Sequence, residues 1–389
     1  MSPPRLHHLD ALRALTLVLI LPAHAVAIAG LNGGWNDAEA SVFWLIHVFR
    51  VPLFFLLAGF FAALLLDTRG SEGLLRNRLA RIGLPLVVTV VLVVPGLSLM
   101  LDSVSAVDPR PGSEGLGVLI DFHPHYVWFL WYLVILYCGA LLVHHLLGRL
   151  PTVRSSLGRL STSLLPHSIA PLLLAIPCAL LLYREPAWIA EAPAGSFVPR
   201  FELLAYFAIF FACGWVLHAI RGLRDAIERR PGRYALLAAI ALPPALALYL
   251  LQSEPAIGAS RWAHLLALGL FSVATWSLTF GLLGASRSFL HEASPRLRYM
   301  ADASYWIYLS HFPVMAALAL VLFDLAMPNA LRLPLLVVAT FAIIYPAYGA
   351  FVRHTAIGHI LHGPRPPEPE PERRRSRRQL TRPTTAAGR

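Results

Sequence analysis

Apolar runs of about 20 residues, the length that a helix needs to cross a bilayer, recur along the whole chain. Inside lipid a backbone must satisfy its own hydrogen bonds, which favours helices. Charged residues make up 14% of the 389 residues, whereas a soluble domain carries roughly 25%. The sequence therefore predicts an all-α polytopic membrane protein. Its ten candidate spans are 11–31, 43–66, 79–101, 126–147, 169–183, 201–220, 233–251, 262–284, 303–324 and 331–352.

The loops between these spans differ in their arginine content. Every second loop is rich in arginine, with fifteen residues in all: Arg69, Arg76, Arg78, Arg81, Arg149, Arg154, Arg159, Arg221, Arg224, Arg229, Arg230, Arg233, Arg287, Arg296 and Arg298. The other loops carry five: Arg110, Arg184, Arg200, Arg261 and Arg332. Because basic loops stay in the cytoplasm, this bias predicts an even number of spans with both termini cytoplasmic. The net charge of +11 lies in short loops and the tail, which argues against nucleic-acid binding.

The two ends of the chain are interpreted separately. Residues 1–362 are predicted to form the membrane domain, and 363–389 a disordered basic tail that touches anionic lipid. An alternative for the N-terminus is a signal peptide, since Arg5, Arg13 and an apolar stretch accompany the small-residue site Ala23-His24-Ala25. Cleavage there would remove His24 and leave an odd number of spans, so an uncleaved first span is preferred.

Polar side chains in the first span are candidates for function, because a charge at the bilayer centre costs about 2.5–3.5 kcal/mol on insertion scales. Asp10 and Arg13 lie at the predicted cytoplasmic mouth of this span. His24 follows eleven residues after Arg13, which places it about 16 Å deeper along a helix. The alternative is a packing role, in which His24 bonds to a neighbouring helix or to backbone groups freed by Pro22.

The ninth span carries a second polar stripe. Ser304, Tyr308 and His311 follow one another at helical spacing and therefore share one face. This helix also enters from the cytoplasm, so His311 is expected to approach the depth of His24. A hydrogen-bonded packing stripe is the alternative interpretation.

Two features of the second span and its loop have both a structural and a functional interpretation. Arg50 either snorkels outward or forms an ion pair, or else it lines a pocket for an acceptor. Gly59 indicates close helix packing. Arg78 and Arg81 are topology signals by default, yet their guanidinium groups also suit a phosphate-rich ligand such as coenzyme A.

These residues together resemble the acyltransferase-3 family of membrane acyltransferases. Five motifs carry the resemblance in order along the chain: Arg13 and His24 in an Arg-x10-His spacing, Phe54–Phe60, Arg78–Arg81 before Pro85, Trp128–Leu130, and Ser304–His311. The stretches 47–55 and 128–133 are most similar to the branch that contains glucan biosynthesis protein C, which is associated with succinylation of periplasmic glucans. Where the family often has a serine, this chain has Ala58.

The resemblance implies a function in the bacterial inner membrane. A core of ten helices would transfer an acyl group, succinyl or acetyl, from cytoplasmic acyl-CoA to a saccharide hydroxyl of an envelope glycan. His24 would be the catalytic residue, and Arg13, Arg78 and Arg81 would bind acyl-CoA. Supporting or acceptor-pocket candidates are Asp10, Arg50, Trp128, Ser304, Tyr308 and His311.

Two other classes of function stay open. The first is a transporter of a polar or acylated solute, in which buried histidines relay protons. The second is a non-catalytic membrane scaffold, in which these histidines would be replaceable. The three cysteines lie in apolar runs and indicate neither a disulfide framework nor a zinc cluster: Cys138, Cys178 and Cys213. No metal and no permanently bound cofactor are expected. The oligomeric state, the acyl group and the acceptor are not determined by the sequence.

Overall fold

The computed structural model describes residues 7–31, 34–104, 124–185, 188–190, 195–220, 222–290 and 295–362. Within these ranges the chain is helical and contains no strand, as predicted. The predicted tail 363–389 lies outside the described residues. The α-helices are α1 His7–Val18, α2 Ile20–Gly30, α3 Asp37–His47, α4 Arg50–Arg78, α5 Leu84–Val88, α6 Val94–Val104, α7 Trp128–Arg149, α8 Pro151–Leu164, α9 Ala170–Leu182, α10 Phe201–Ala219, α11 Leu223–Glu228, α12 Pro231–Leu250, α13 Pro255–Gly258, α14 Arg261–Phe289, α15 Pro295–Leu322, α16 Asn329–Ala347 and α17 Ala356–His362.

Eight helical stretches among the described residues are long and apolar enough to cross a membrane. These stretches are His7–Gly30, Asp37–Leu101, His125–Arg149, Phe201–Ala219, Pro231–Ser253, Arg261–Phe289, Pro295–Leu322 and Asn329–Val352. The predicted fifth span corresponds to the shorter apolar helix α9. The chain is therefore a multi-pass membrane protein, while the count of ten spans and the cytoplasmic termini stay predictions.

The stretch Asp37–Leu101 has 65 residues and covers the second and third predicted spans together. Gly70 interrupts its helical backbone, with a φ of 69° that favours glycine. Before Gly70, Phe55 packs on Phe129 near the start of α7, with ring centroids 4.8 Å apart. After it, Arg78 lies over Tyr137 further along α7. The π-helical segment Thr89–Val93 then contacts the turn that precedes α7. The chain therefore folds back at Gly70 and runs beside α7 in the opposite direction.

Helices α4 and α10 approach closely because small residues face each other. A Cβ atom added to Gly59 would lie 1.9 Å from the carbonyl oxygen of Phe211, and one added to Gly214 would lie 1.8 Å from that of Leu56. Only glycine fits at both positions, since any side chain would force the two backbones apart. The interpretation of Gly59 as a helix-packing residue is confirmed.

Two prolines follow breaks between helices, and a third lies inside a helix. Pro22 follows the break between α1 and α2, and Pro52 follows the break between α3 and α4. Proline lacks an N–H group and its ring clashes with the carbonyl four residues earlier, which ends or bends a helix. Pro313 lies inside α15 and therefore leaves the Leu309 carbonyl without its helical donor. Polar side chains gather around these three positions.

Candidate active site

The predicted histidines of the first and ninth spans contact each other directly. His24 Nδ1 lies 2.7 Å from His311 Nε2, and the two rings stack with their centroids 4.9 Å apart. His311 is fully buried, whereas His24 keeps partial exposure. Phe312 closes the edge of the His24 ring in a T-shaped contact. Residues separated by 287 positions in the chain thus form one pair inside the bundle.

Hydrogen bonding to backbone carbonyls fixes the tautomers of this pair. His311 Nδ1 lies 2.7 Å from the carbonyl oxygen of Tyr308 and 3.1 Å from that of Ile307. A carbonyl only accepts, so His311 Nδ1 carries the proton and its Nε2 is a lone pair in the neutral ring. His24 Nδ1 must then donate to His311. The lone pair of His24 is therefore on Nε2, which has no hydrogen-bond partner among the described residues.

Two tyrosines join the ninth-span helix to the turn before α7. The Tyr126 hydroxyl donates to the Leu309 carbonyl at 2.7 Å, which is the carbonyl that Pro313 leaves without a helical donor. In return, the Tyr308 hydroxyl donates to the Tyr126 carbonyl at 3.1 Å. The reciprocal bonds hold α15 in register with the start of α7 and so fix the position of His311.

Arg50 and His47 complete this group from the break between α3 and α4. Arg50 is the first residue of α4, is 5% exposed, and interacts electrostatically with His24, His311 and Tyr308. His47 Nδ1 donates to the Phe43 carbonyl at 2.8 Å. We call this group the histidine centre, and its members are His24, His47, Arg50, Tyr126, Tyr308 and His311. No set of side chains suited to hold a metal ion occurs within the described ranges.

Three predicted supporting residues lie outside the histidine centre. Ser304 is buried, and its hydroxyl donates to the carbonyl of Ala301 in its own helix at 2.8 Å. Trp128 is buried among aromatic rings, the nearest contacts being with Tyr132 and Phe207. Asp10 lies 3.6 Å from Arg13 as an i,i+3 ion pair. The contacts of these three residues are those of packing and local pairing.

The three arginines predicted to bind acyl-CoA converge with a fourth. Arg81 interacts electrostatically with Arg78, Arg69 and Arg13. The connection that carries Arg78 is helical, because the helix continues past Gly70 to end at Arg78. Arg81, near the start of the predicted third span, lies in the π-helical segment Leu79–Gly83. Single π-helical turns inside α-helices are frequent at functional sites. We call these four residues the arginine cluster.

Within the arginine cluster, Arg78 is held by an aromatic ring. Its guanidinium carbon lies 4.8 Å from the centroid of the Tyr137 ring, and its buried Nε has no hydrogen-bond partner. Arg13 lies in a similar way over Phe61, at 5.9 Å. Aromatic faces support the planar guanidinium groups and leave their N–H groups available for an anion.

The arginine cluster and the histidine centre are eleven residues apart on each of two helical stretches. On the first span, Arg13 and His24 are eleven residues apart, or about 16 Å along a helix. On α7 and its preceding turn, Tyr137 meets Arg78 and Tyr126 meets His311, again eleven residues apart. The arrangement fits a long ligand whose charged head binds at the arginines and whose reactive end reaches His24.

A known protein family matches most of the chain. Residues 6–349 match the family described as Acyltransferase domain. The chain belongs to this acyltransferase family. The match covers both the histidine centre and the arginine cluster, and the resemblance drawn from the sequence motifs is confirmed. The protein is therefore a multi-pass membrane acyltransferase.

The relatives of this acyltransferase include two glucan biosynthesis proteins. Glucans biosynthesis protein C of Escherichia coli O139:H28 (strain E24377A / ETEC) is 24% identical over 330 residues, covering 80% of this chain and 82% of that protein. Glucans biosynthesis protein C of Escherichia coli (strain K12) is 25% identical over the same shares of both chains. No solved structure matches the chain.

Sequence reasoning missed several residues of these two groups. Tyr126 is the first residue of the predicted fourth span and meets His311 only through the fold. Arg69 was counted as a topology signal, although it lies within reach of Arg81. The prolines were the available signal, since Pro313 predicts a freed carbonyl on the histidine helix.

Proposed function

We propose that this acyltransferase moves an acyl group, succinyl or acetyl, from cytoplasmic acyl-CoA to a hydroxyl of a saccharide. The acceptor is a periplasmic glucan or another envelope glycan, and the enzyme acts in the bacterial inner membrane. The family supports acyl transfer. The names of the relatives support a glucan acceptor. The reaction is that of an acyltransferase for groups other than aminoacyl groups.

The observation that carries this proposal is the contact between His24 and His311. A histidine whose Nδ1–H is held by a fixed acceptor presents an oriented lone pair on Nε2, as a general base requires. His311 is in turn fixed by the carbonyls of its own helix. Because His24 is partly exposed while His311 is buried, His24 is the member that meets substrate.

The same lone pair serves two routes. In the first, His24 Nε2 takes the proton of the acceptor hydroxyl, whose oxygen attacks the thioester carbonyl, and the C–S bond breaks. The imidazolium then returns the proton to the CoA thiolate. In the second, Nε2 itself attacks the thioester carbonyl, the C–S bond breaks and the CoA thiolate leaves. The acceptor hydroxyl then attacks the acyl group, the bond between Nε2 and the acyl carbon breaks, and the proton of the hydroxyl passes to the thiolate. In both routes His311 accepts from Nδ1 and stabilises the charge on His24.

The arginine cluster supplies the donor-binding part of the proposal. Arg13, Arg78 and Arg81, joined by Arg69, would bind the phosphates of CoA at the predicted cytoplasmic end. The pantetheine arm would extend over the about 16 Å of helix that separate Arg13 from His24. Acyl-CoA is thus a donor substrate rather than a bound cofactor.

Variants of His311 test its positioning role. We expect His311→Ala to lower kcat roughly 10²-fold, at the lower end of the range for general base catalysis, with an unchanged KM for acyl-CoA. His311→Gln keeps an acceptor near the position of Nε2 and should recover part of that loss. Equal kcat values for the two variants, measured with purified protein, would reduce His311 to a packing residue.

The proposed function is tested by two measurements on the protein and its cells. Mass spectrometry of envelope glycans should show acyl groups that disappear when the gene is deleted and return with the wild-type gene. Purified protein in lipid nanodiscs should release CoA from acyl-CoA when a glucan acceptor is added. Acylated glycans that persist after deletion, or a protein that transports solute without releasing CoA, would favour the transporter instead.

A further inference from the structure

Arg50 is a buried cation with no counter-charge among the described residues. Its side chain is 5% exposed, and its Nη1 atom is buried without a hydrogen-bond partner. None of the ion pairs within the described ranges includes it. A guanidinium withdrawn from water loses its hydration, and only an anion or strong acceptors compensate for that loss.

Another arginine of the same chain shows the usual solution. Arg200 donates to the carboxylate of Glu185, whose side chain is almost fully buried. Both arginines belong to the side of the bundle that is predicted to face the periplasm. Arg200 is therefore a structural ion-pair residue, whereas Arg50 has no carboxylate partner among the described residues.

Among the members of the histidine centre, Arg50 has a side-chain nitrogen, Nη1, that donates to no acceptor in the part of the chain that the structure describes. The hydroxyls of Tyr126 and Tyr308 each donate to a backbone carbonyl. The Nδ1–H groups of its three histidines are likewise used, by His311 or by carbonyls. Acyl transfer needs a donor for the negative charge that develops on the carbonyl oxygen.

We propose that Arg50 binds an oxygen anion of the substrate beside His24. This inference rests on the proposed function. The anion has two sources with the same chemistry: the thioester oxygen as it becomes an oxyanion, or a free carboxylate at the far end of a dicarboxylic acyl chain. In the first case the new C–O bond places negative charge on that oxygen, and cleavage of the C–S bond removes it. Arg50 keeps its proton throughout.

Kinetics with two acyl donors test the proposal and separate the two sources. Arg50→Gln and wild-type protein, both full length in nanodiscs, are compared with acetyl-CoA and succinyl-CoA. If Arg50 stabilises the oxyanion, kcat falls about 10²–10³-fold with both donors. If it binds the chain carboxylate, KM rises for succinyl-CoA alone. Wild-type kcat and KM with both donors would overturn the proposal.

Thermal unfolding provides a test that does not depend on activity. Arg50→Gln removes an uncompensated charge and should raise the Tm of the ligand-free protein, whereas the control Arg200→Gln removes the ion-pair partner of the buried Glu185 carboxylate and should lower it. Sodium succinate should raise the Tm of wild-type protein, relative to sodium chloride of equal ionic strength, and leave Arg50→Gln unchanged. A lower Tm for Arg50→Gln would show a structural role and overturn the proposal. Wild-type protein that transfers no acyl group would contradict the proposed function, while these Tm differences would still decide on Arg50.

Discussion

Two groups of arginines lie on the same predicted face of the membrane and differ in their partners. In the arginine cluster, Arg81 interacts with three other arginines, and Arg78 meets a tyrosine ring. In the second group, Arg287 donates to Asp225 at 2.7 Å and to Glu228 at 3.1 Å. Both groups are equally good topology signals in the sequence. Only their three-dimensional surroundings distinguish them.

The partners of each arginine distinguish a candidate binding site from arginines that only set the membrane topology. Glu228 has a fully buried side chain whose carboxylate lies 3.6 Å from Arg224, 3.1 Å from Arg287 and 3.6 Å from His8 Nε2. That network joins α1, α11 and α14, so its charges are used within the fold. In the arginine cluster, Arg13 and Arg78 lie over aromatic rings, and Arg81 lies among the other three cationic side chains. A ligand with several phosphates would relieve the repulsion between these charges.

The largest expected difference between the two groups of arginines is in KM for acyl-CoA, when charge is removed from the arginine cluster. We expect the double variant Arg78→Ala/Arg81→Ala to raise KM for acyl-CoA by about 10²- to 10⁴-fold, because it removes two charge-assisted hydrogen bonds of roughly 1.5–3 kcal/mol each. The matched control is Arg296→Ala/Arg298→Ala, which removes the same charge from exposed positions on the same predicted face. If both double variants keep the wild-type KM, the cluster is a topology signal only.

A loss of stability without a change in KM should follow from breaking the Arg287 network. Arg287→Ala leaves the buried carboxylate of Glu228 with fewer partners. We expect a destabilisation of about 3 kcal/mol, the lower end for broken buried pairs, since Arg224 still lies 3.6 Å away. Thermal unfolding in detergent measures the change. A raised KM for acyl-CoA in this variant would remove the distinction between the two groups.

The smallest effect concerns pH. Hydrogen bonding to Arg287 holds the pKa of Asp225, which lies outside the spans, below its usual range. Its stabilising contribution is therefore fully present above the unfolded pKa of about 3.9 and is lost as pH falls through the lower folded value. The Tm difference between wild-type protein and Asp225→Asn should be constant above about pH 5 and shrink in stronger acid. A Tm difference that grows as the pH falls would contradict this sign.

Much of the fold was predictable because lipid imposes simple rules. Apolar run length located the helices. The connection between the second and third spans was predicted less precisely. A loop was expected there, whereas the chain reverses at Gly70 and is helical again directly after it. One glycine with a left-handed backbone is enough to reverse the chain, and run length alone does not show that.

The site was predictable residue by residue but not in its contacts. His24 and His311 were both identified from their spans, yet the hydrogen bond between them depends on how α2 and α15 pack. Trp128 and Ser304 were candidates as well, but in the structure Trp128 packs on aromatic rings and Ser304 bonds to its own helix. A polar residue in a span marks a candidate, and only its partners show how it is used.

The central claim is that His24 performs the chemistry while the arginine cluster binds the donor. The direct test measures both properties on one variant, purified His24→Ala in nanodiscs. CoA binding by calorimetry should keep the wild-type Kd, and transfer of a radiolabelled acyl group from acyl-CoA to glucan should fall by about 10²–10⁴-fold or more. Transfer at the wild-type rate by His24→Ala would contradict the claim.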